Sequence, residues 1–242
     1  MEYSFLTWNI WFETFFLEER TKKIMFNIQQ KNIDFVALQE VTEQSLDVIK
    51  KYKKDYYLIG DPITFSYDTI ILSKYKPIKW ERINFPNSVM GRNLLIADFP
   101  NNISVGTFHL ESIFTKDSYT EKLAQLDYIS KVCSKKKNVV FMGDTNFTIK
   151  NREIELTEPF ADAFEMASSP YGYEITYSGK YNSNIKNKYF NSRLDRIYCN
   201  KEKWGIKEFR LFGTHRTVFT GDMSINPSDH YGVYSTLYLR DR

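Results

Sequence analysis

Short apolar runs, rich in β-branched and aromatic residues and separated by turn or helix signals, recur from one end of the chain to the other. Their length and composition suit strands. On this reading Tyr3–Trp8, Phe35–Leu38, Thr69–Leu72, Leu94–Phe99, Ser104–Phe108, Val139–Met142, Leu194–Cys199 and Tyr231–Leu239 are strands. Helical spacing appears over Glu18–Gln30, where Ile24 and Ile28 lie a turn apart. It returns over Ser118–Val132, where Leu123, Leu126 and Ile129 form a stripe behind a cap at Ser118. Strands before, between and after helices predict an α/β fold with substantial β content, in one domain over residues 1–242. The stretch Tyr171–Ser192 breaks the pattern, being polar, rich in Asn and Tyr, and weakly periodic. A loop that long in a compact domain is either disordered or functional.

With 242 residues, 42% of them hydrophobic, the chain can bury a sizeable core. No apolar run is long enough to span a bilayer, and MEYSFLTWNIW lacks the basic start, apolar stretch and small-residue cleavage site of a signal peptide. Cys133 and Cys199 are too few for a disulfide framework and lack zinc-site spacing. These features predict an intracellular protein, nuclear or cytoplasmic and not secreted, with no membrane partner. The net charge of +3 permits a polyanionic partner without making the case for one.

Polar side chains fall at the ends of the runs that look buried. Asn9 follows the first, Glu40 the second, and His109 with Ser112 the fifth; Asp144 and Asn146 follow the sixth. Asp195 lies within the seventh run, and Asp229–His230 precedes the last. Singly, each has an ordinary explanation as a turn former, a cap or a packed polar residue, and Glu40 could cap a helix beginning near Thr42. Jointly they point to a site, because ligands and catalytic groups gather at strand ends and on the loops beyond them.

The residue types fit phosphoryl-ester hydrolysis. Mg²⁺ takes oxygen ligands and is commonly held by one or two carboxylates; Glu40 is the natural ligand, with Asp229 or Asp144 near it. Asn9, Asn146, His109 and Ser112 can donate to phosphate oxygens without adding negative charge. Asp144 suits the orientation of an attacking water. His230, held protonated by a buried carboxylate such as Asp195, would stabilise charge developing at phosphorus.

The motifs TWN (Thr7–Asn9), LQEV (Leu38–Val41), HLES (His109–Ser112), GDTN (Gly143–Asn146), RLDRI (Arg193–Ile197) and PSDH (Pro227–His230) resemble, in order, those of the endonuclease/exonuclease/phosphatase superfamily. HLES, GDTN, MGRNLL (Met90–Leu95), NSN (Asn182–Asn184) and SDHYG more narrowly resemble the tyrosyl-DNA phosphodiesterases of the 5′ type. The resemblance implies a four-layer α/β/β/α sandwich of two packed mixed β-sheets with helices on the outer faces. It implies release of a topoisomerase tyrosine from a DNA 5′-phosphate. RNA 5′ ends are a second candidate partner, Mg²⁺ the cofactor with Mn²⁺ able to substitute, and a monomer the expected state. It assigns Glu40 and Asp229 to the metal, Asp144 to the water, and His230 with Asp195 to the transition state. Asn9, Asn146, His109 and Ser112 would contact the scissile phosphate. Tyr177, Ile185 and Leu194 match positions that pack against the DNA end, and Arg92 is a candidate phosphate contact, with a solvating surface arginine as the competing reading.

Three departures bear on substrate grip. Trp11 stands where the family has Asp, Phe114 where it has Arg, and the turn after GDTN is lengthened as Phe147–Asn151 before Arg152–Glu153. The competing enzymatic readings are an abasic-site endonuclease, a deadenylase or a lipid phosphodiesterase. A catalytically silent nucleic-acid-binding module is the non-enzymatic alternative, and the joint presence of Glu40, Asp144, Asp195 and His230 argues against it.

Overall fold

The computed structural model describes residues 1–112, 118–148, 156, 158–168 and 170–240. Phe114, Arg152 and Glu153, and most of the lengthened turn before them, lie outside the described residues. In chain order the strands are β1 (Glu2–Asn9), β2 (Phe35–Val41), β3 (Tyr57–Ile59), β4 (Asp68–Ser73), β5 (Lys79–Asn84), β6 (Asn93–Phe99), β7 (Ile103–His109) and β8 (Asn138–Asp144). There follow β9 (Phe160–Asp162), β10 (Tyr177–Ser178), β11 (Asn191–Ser192), β12 (Asp195–Asn200), β13 (Trp204–Phe212), β14 (Val218–Thr220), β15 (Met223–Ile225) and β16 (Gly232–Leu239). The helices are α1 (Leu17–Lys31), α2 (Glu43–Tyr52), α3 (Ser118–Cys133) and α4 (Ala163–Met166).

Two six-stranded mixed sheets carry the fold, ordered β13-β16-β1-β2-β4-β3 and β5-β6-β7-β8-β12-β9. Side chains alternate between faces along a strand, and here the alternation sorts them into different apolar layers. Phe5, Phe35, Ala37 and Ile71 of the first sheet meet Leu95, Val105, Val140 and Met142 of the second in a shared core. Their neighbours Leu6, Trp8, Val36 and Leu38 face outward onto Ile24 and Ile28 of α1 and Leu46 and Ile49 of α2. On the far side, Leu94, Phe108, Val139 and Phe141 pack on Leu126, Ile129 and Cys133 of α3. The expected four-layer sandwich is therefore present. No helix among the described residues is long and apolar enough to cross a membrane. Both cysteines are free and buried, and burial raises both thiols.

All eight expected strands form, with boundaries extended or shifted by one to a few residues. The stripe on α3 differs by one position: Leu123 is 37% exposed, and Lys122, Gln125, Leu126, Ile129 and Cys133 make the buried seam. Glu40 caps nothing, because Thr42 caps α2 through a reciprocal box with Ser45. The loop 171–192 is tied to the turn before β16. Asn182 donates to the carbonyls of Ser228 and Asp229, and Ser183 and Asn226 exchange hydrogen bonds.

Candidate active site

Strand direction brings the polar residues together. β1 and β2 run parallel, as do β7 and β8, while β16 and β12 run antiparallel to them. The C-terminal ends Asn9, Glu40, His109 and Asp144 therefore share one edge of the sandwich with the start of β12 and the approach to β16. Register refines this: Asp144 lies beside both His109 and Asp195. Beneath the site a buried polar bridge joins the two sheets. Gln39 accepts from Thr7 Oγ1 at 3.2 Å and donates to Thr107 Oγ1 at 3.0 Å.

Glu40 reaches the cleft because the pairing of β2 with β4 slips between Leu38 and Val41, and Glu40 itself takes a φ of 58°. A bulge of this kind re-aims a side chain that regular alternation would send elsewhere. Its carboxylate accepts from Asn9 Nδ2 at 2.9 Å and from the Phe12 amide at 3.0 Å. The other proton of Asn9 Nδ2 goes to Asp144 Oδ2 at 3.0 Å, so one amide joins the two carboxylates. Asn146, with a φ of 52°, donates its backbone N–H to Asp144 Oδ1 at 2.8 Å and its side chain to the Leu110 carbonyl.

Two histidines flank Asp144 Oδ2, His109 Nε2 at 3.4 Å and His230 Nε2 at 3.9 Å. Their surroundings push them in opposite directions. Burial and the adjacent Arg92 guanidinium drive His109 well below the ordinary imidazole range. Burial opposes a charge on His230 as well, but Asp195, Asp229 and Asp144 outweigh it and hold that ring well above the range. Asp195 Oδ2 takes the Nδ1 proton of His230 at 2.8 Å. Arg92 Nη1 sits 2.9 Å from His109 Nδ1; a guanidinium can only donate, so Nδ1 accepts and the proton of His109 is on Nε2. Asp144 is held below its ordinary value: burial would raise it, but the two histidines and the donors from Asn9 and Asn146 prevail.

A cavity of about 480 Å³ opens on this edge, lined by Glu40, Arg92, His109, Ser112, Asp144, Asn146, Tyr177, Leu194 and His230 among others. Asn9 and Asp195 stand behind that lining, hydrogen-bonded to residues in it. Arg92 is 6% exposed and not a solvating surface arginine. Tyr177 forms an antiparallel bridge with His230 and meets its ring at 5.0 Å. Ile185 is buried and does not line the cavity.

Oxygen donors with excess negative charge fit a hard divalent cation. Glu40, His109 and Asp144 each offer an atom within 4.8 Å of the others, as do Asp144, Asp195 and His230. In the second set Asp195 and His230 share a proton at 2.8 Å; in the first, the proton on His109 Nε2 faces Asp144, which leaves the oxygens of Glu40 and Asp144 as the ligand atoms. Burial and the neighbouring Asp229 push Glu40 up to about 7, the condition a cation relieves. Asp229 belongs to neither set and acts on Glu40 through its charge. Trp11, standing where an acid was expected, offers no ligand; its backbone N–H caps Asn9 Oδ1 at 3.0 Å.

Several contributors were not foreseen. Arg20, 1% exposed, donates to the carbonyls of Ile10, Trp11, Glu13 and Phe15 and stacks under Trp11 at 4.5 Å, fixing the loop that carries Phe12. In sequence it sits in the charged run EERTKK and reads as solvated. Phe12 and Tyr67 stack at 5.0 Å on one wall of the cavity. Thr176 Oγ1 receives the amides of Leu194 and Asp195.

A model of the Endonuclease/Exonuclease/phosphatase family matches residues 6–230. Tyrosyl-DNA phosphodiesterase 2 of Xenopus tropicalis is 30% identical over 96% of this chain, which spans 65% of that relative's length. The crystal structure of D. rerio TDP2 complexed with single strand DNA product superposes with a TM-score of 0.87 at 27% identity, covering 98% of this chain and 99% of the other. A mannosyl-6-phosphatase from Bacteroides thetaiotaomicron shares the fold at a TM-score of 0.75 and 15% identity, over 99% and 100% of the two chains.

Proposed function

The chain belongs to the endonuclease/exonuclease/phosphatase family, and on that premise we propose that its cleft hydrolyses the phosphodiester between a protein tyrosine and a DNA 5′ end. The products are a free tyrosyl peptide and a 5′-phosphate. The observation that carries the chemistry is the pair of histidines that flank one carboxylate oxygen, His109 with Arg92 at its back and His230 with Asp195 at its back. What supports the choice of bond is similarity along almost the whole chain to relatives named for it.

A dianionic, trigonal-bipyramidal phosphate in the cavity needs a donor without net charge, a cation, and an acceptor for the water's proton. His109 Nε2–H, Asn146 and Ser112 serve as donors to non-bridging oxygens, and Asn9 holds Glu40 and Asp144 in register. His230, charged through Asp195, stabilises the negative charge as it develops. Asp144 stays ionised and accepts a proton from the attacking water. Glu40, with the charge of Asp229 beside it, would hold Mg²⁺ (or Mn²⁺), which supplies a positive centre for the phosphate oxygens when bound. Tyr177 and Leu194 present apolar faces to the nucleic-acid end, against which a base can stack. Arg92 acts on the phosphate by way of His109.

In this reading residues 1–242 form a single catalytic domain, working as a monomer inside the cell, in the nucleus or cytoplasm, with RNA 5′ ends as an alternative substrate. The test is release of tyrosine from a 5′-phosphotyrosyl oligonucleotide by the purified protein with Mg²⁺, and its loss in Asp144→Asn. Efficient cleavage of another phosphodiester with no tyrosine release would overturn the proposal.

A further inference from the structure

Glu111 belongs to the HLES motif, yet it faces away from the cavity and has no part in the chemistry described above. It is fully buried, as is Gln125 of α3, its nearest polar neighbour. Four donors converge on its carboxylate. Oε1 accepts the backbone amides of Val89 at 3.1 Å and Met90 at 2.9 Å. Oε2 accepts Ser88 Oγ at 2.8 Å and Gln125 Nε2 at 3.0 Å. Gln125 is itself oriented, because its Oε1 receives the Glu111 amide at 2.9 Å. The network has a fixed sense: every group pointing at the carboxylate donates, and Gln125 cannot flip without losing the Glu111 amide.

The network ends at the active site. Ser88 Oγ, while donating to Glu111, receives the backbone N–H of Arg92 at 2.7 Å. Residues 88–90 therefore hang from one buried carboxylate, and Arg92 hangs from residue 88. The Arg92 guanidinium in turn occupies His109 Nδ1. If the 88–92 segment shifted, Nδ1 would lose its obligatory donor and the imidazole proton would be free to occupy either nitrogen. A proton on Nδ1 leaves Nε2 facing Asp144 as a lone pair against a carboxylate, with no N–H to offer toward the cavity.

We infer that Glu111 is a positioning residue: through Ser88 and Arg92 it selects the Nε2–H tautomer of His109. The inference rests on the proposed function only for the use to which that N–H is put. The tautomer itself can be measured without any substrate. The chain has three histidines, so their ring nitrogens can be assigned in long-range ¹H–¹⁵N spectra by single substitutions. The native protein should show His109 as the Nε2–H tautomer. Glu111→Gln places an N–H against donors and should shift His109 to a mixture or to Nδ1–H. Ser88→Ala, which removes the hydroxyl joining Glu111 to the Arg92 amide and leaves the buried carboxylate in place, should move it in the same direction and keeps the test open if Glu111→Gln fails to fold. Tyrosyl release in Glu111→Gln should fall about tenfold to a hundredfold in kcat with a smaller change in KM, the range for a mispositioned group. A folded Glu111→Gln or Ser88→Ala protein whose His109 tautomer matches the native one overturns the inference. Tautomer loss in a protein that never cleaves a tyrosyl ester would instead sink the proposed function and leave the positioning role standing.

Discussion

Asp195→Asn isolates the charge on His230. The substitution keeps shape and leaves the Leu194 and Asp195 amides on Thr176. What it removes is the carboxylate that touches His230 Nδ1, at 2.8 Å. A hydrogen bond to a charged group contributes about 1.5–3 kcal/mol. Asp144, whose Oδ2 lies 3.9 Å from His230 Nε2, and Asp229 still favour the charged ring, so the lower end applies. At about 1.4 kcal/mol per tenfold, its loss from the transition state lowers turnover about tenfold. The sign with pH is fixed too. The charged ring is the active form, so rate falls as pH rises through the His230 pKa. Because Asp195 raises that pKa, the substitution moves the alkaline limb to lower pH. Single-turnover release of tyrosine from a 5′-phosphotyrosyl oligonucleotide, followed across neutral and alkaline pH, reads both effects. Native turnover with an unmoved alkaline limb would refute the role given to this pair.

Other consequences follow from the same geometry. Mg²⁺ should raise the melting temperature of the native protein, and Glu40→Gln should abolish most of that rise, since a ligand that binds only the folded state stabilises it by mass action. Glu40 is pushed up to about 7, so without metal its contribution to stability is full below the ordinary carboxylate range and is lost as pH rises toward neutrality. Metal displaces that proton, so the thermal shift caused by Mg²⁺ should grow with pH across the same window, and a shift independent of pH would contradict this. Arg20→Met strands the carbonyls of the 10–15 loop and should lower stability by about 2–4 kcal/mol in urea unfolding. Tyr177→Leu should raise KM for a tyrosyl oligonucleotide about tenfold while sparing kcat, given about 1–3 kcal/mol for base stacking on an aromatic face.

Those strands that carry the core were legible because both faces of each are buried, which leaves continuous apolar runs. Edge strands were not: β13 alternates Lys207, Glu208 and Arg210 with apolar residues at the rim of its sheet, and β5 reads KWERIN, mostly exposed. Residues at strand ends could be found from sequence because each stands directly after a run that marks its own end. Glu40 is the exception in kind. Its position was legible, but its approach to the cleft depends on a bulge that no local spacing reveals. Arg20, Thr176 and Glu111 act through backbone groups outside their own elements, so only the folded contacts disclose them. Ile185 shows the converse: it matched a motif position, but it is buried and does not line the cavity.

The central claim is that this cleft prefers a tyrosyl ester at a nucleic-acid 5′ end over other phosphodiesters. Its most direct measurement is kcat/KM in Mg²⁺ for matched oligonucleotides bearing a 5′-phosphotyrosine, a 3′-phosphotyrosine or an internal abasic site. The 5′-tyrosyl substrate should lead both others by at least about a hundredfold, equivalent to about 2.7 kcal/mol of differential transition-state binding. Preferred nicking at the abasic site, or equal rates at the 3′ and 5′ tyrosyl ends, would contradict it.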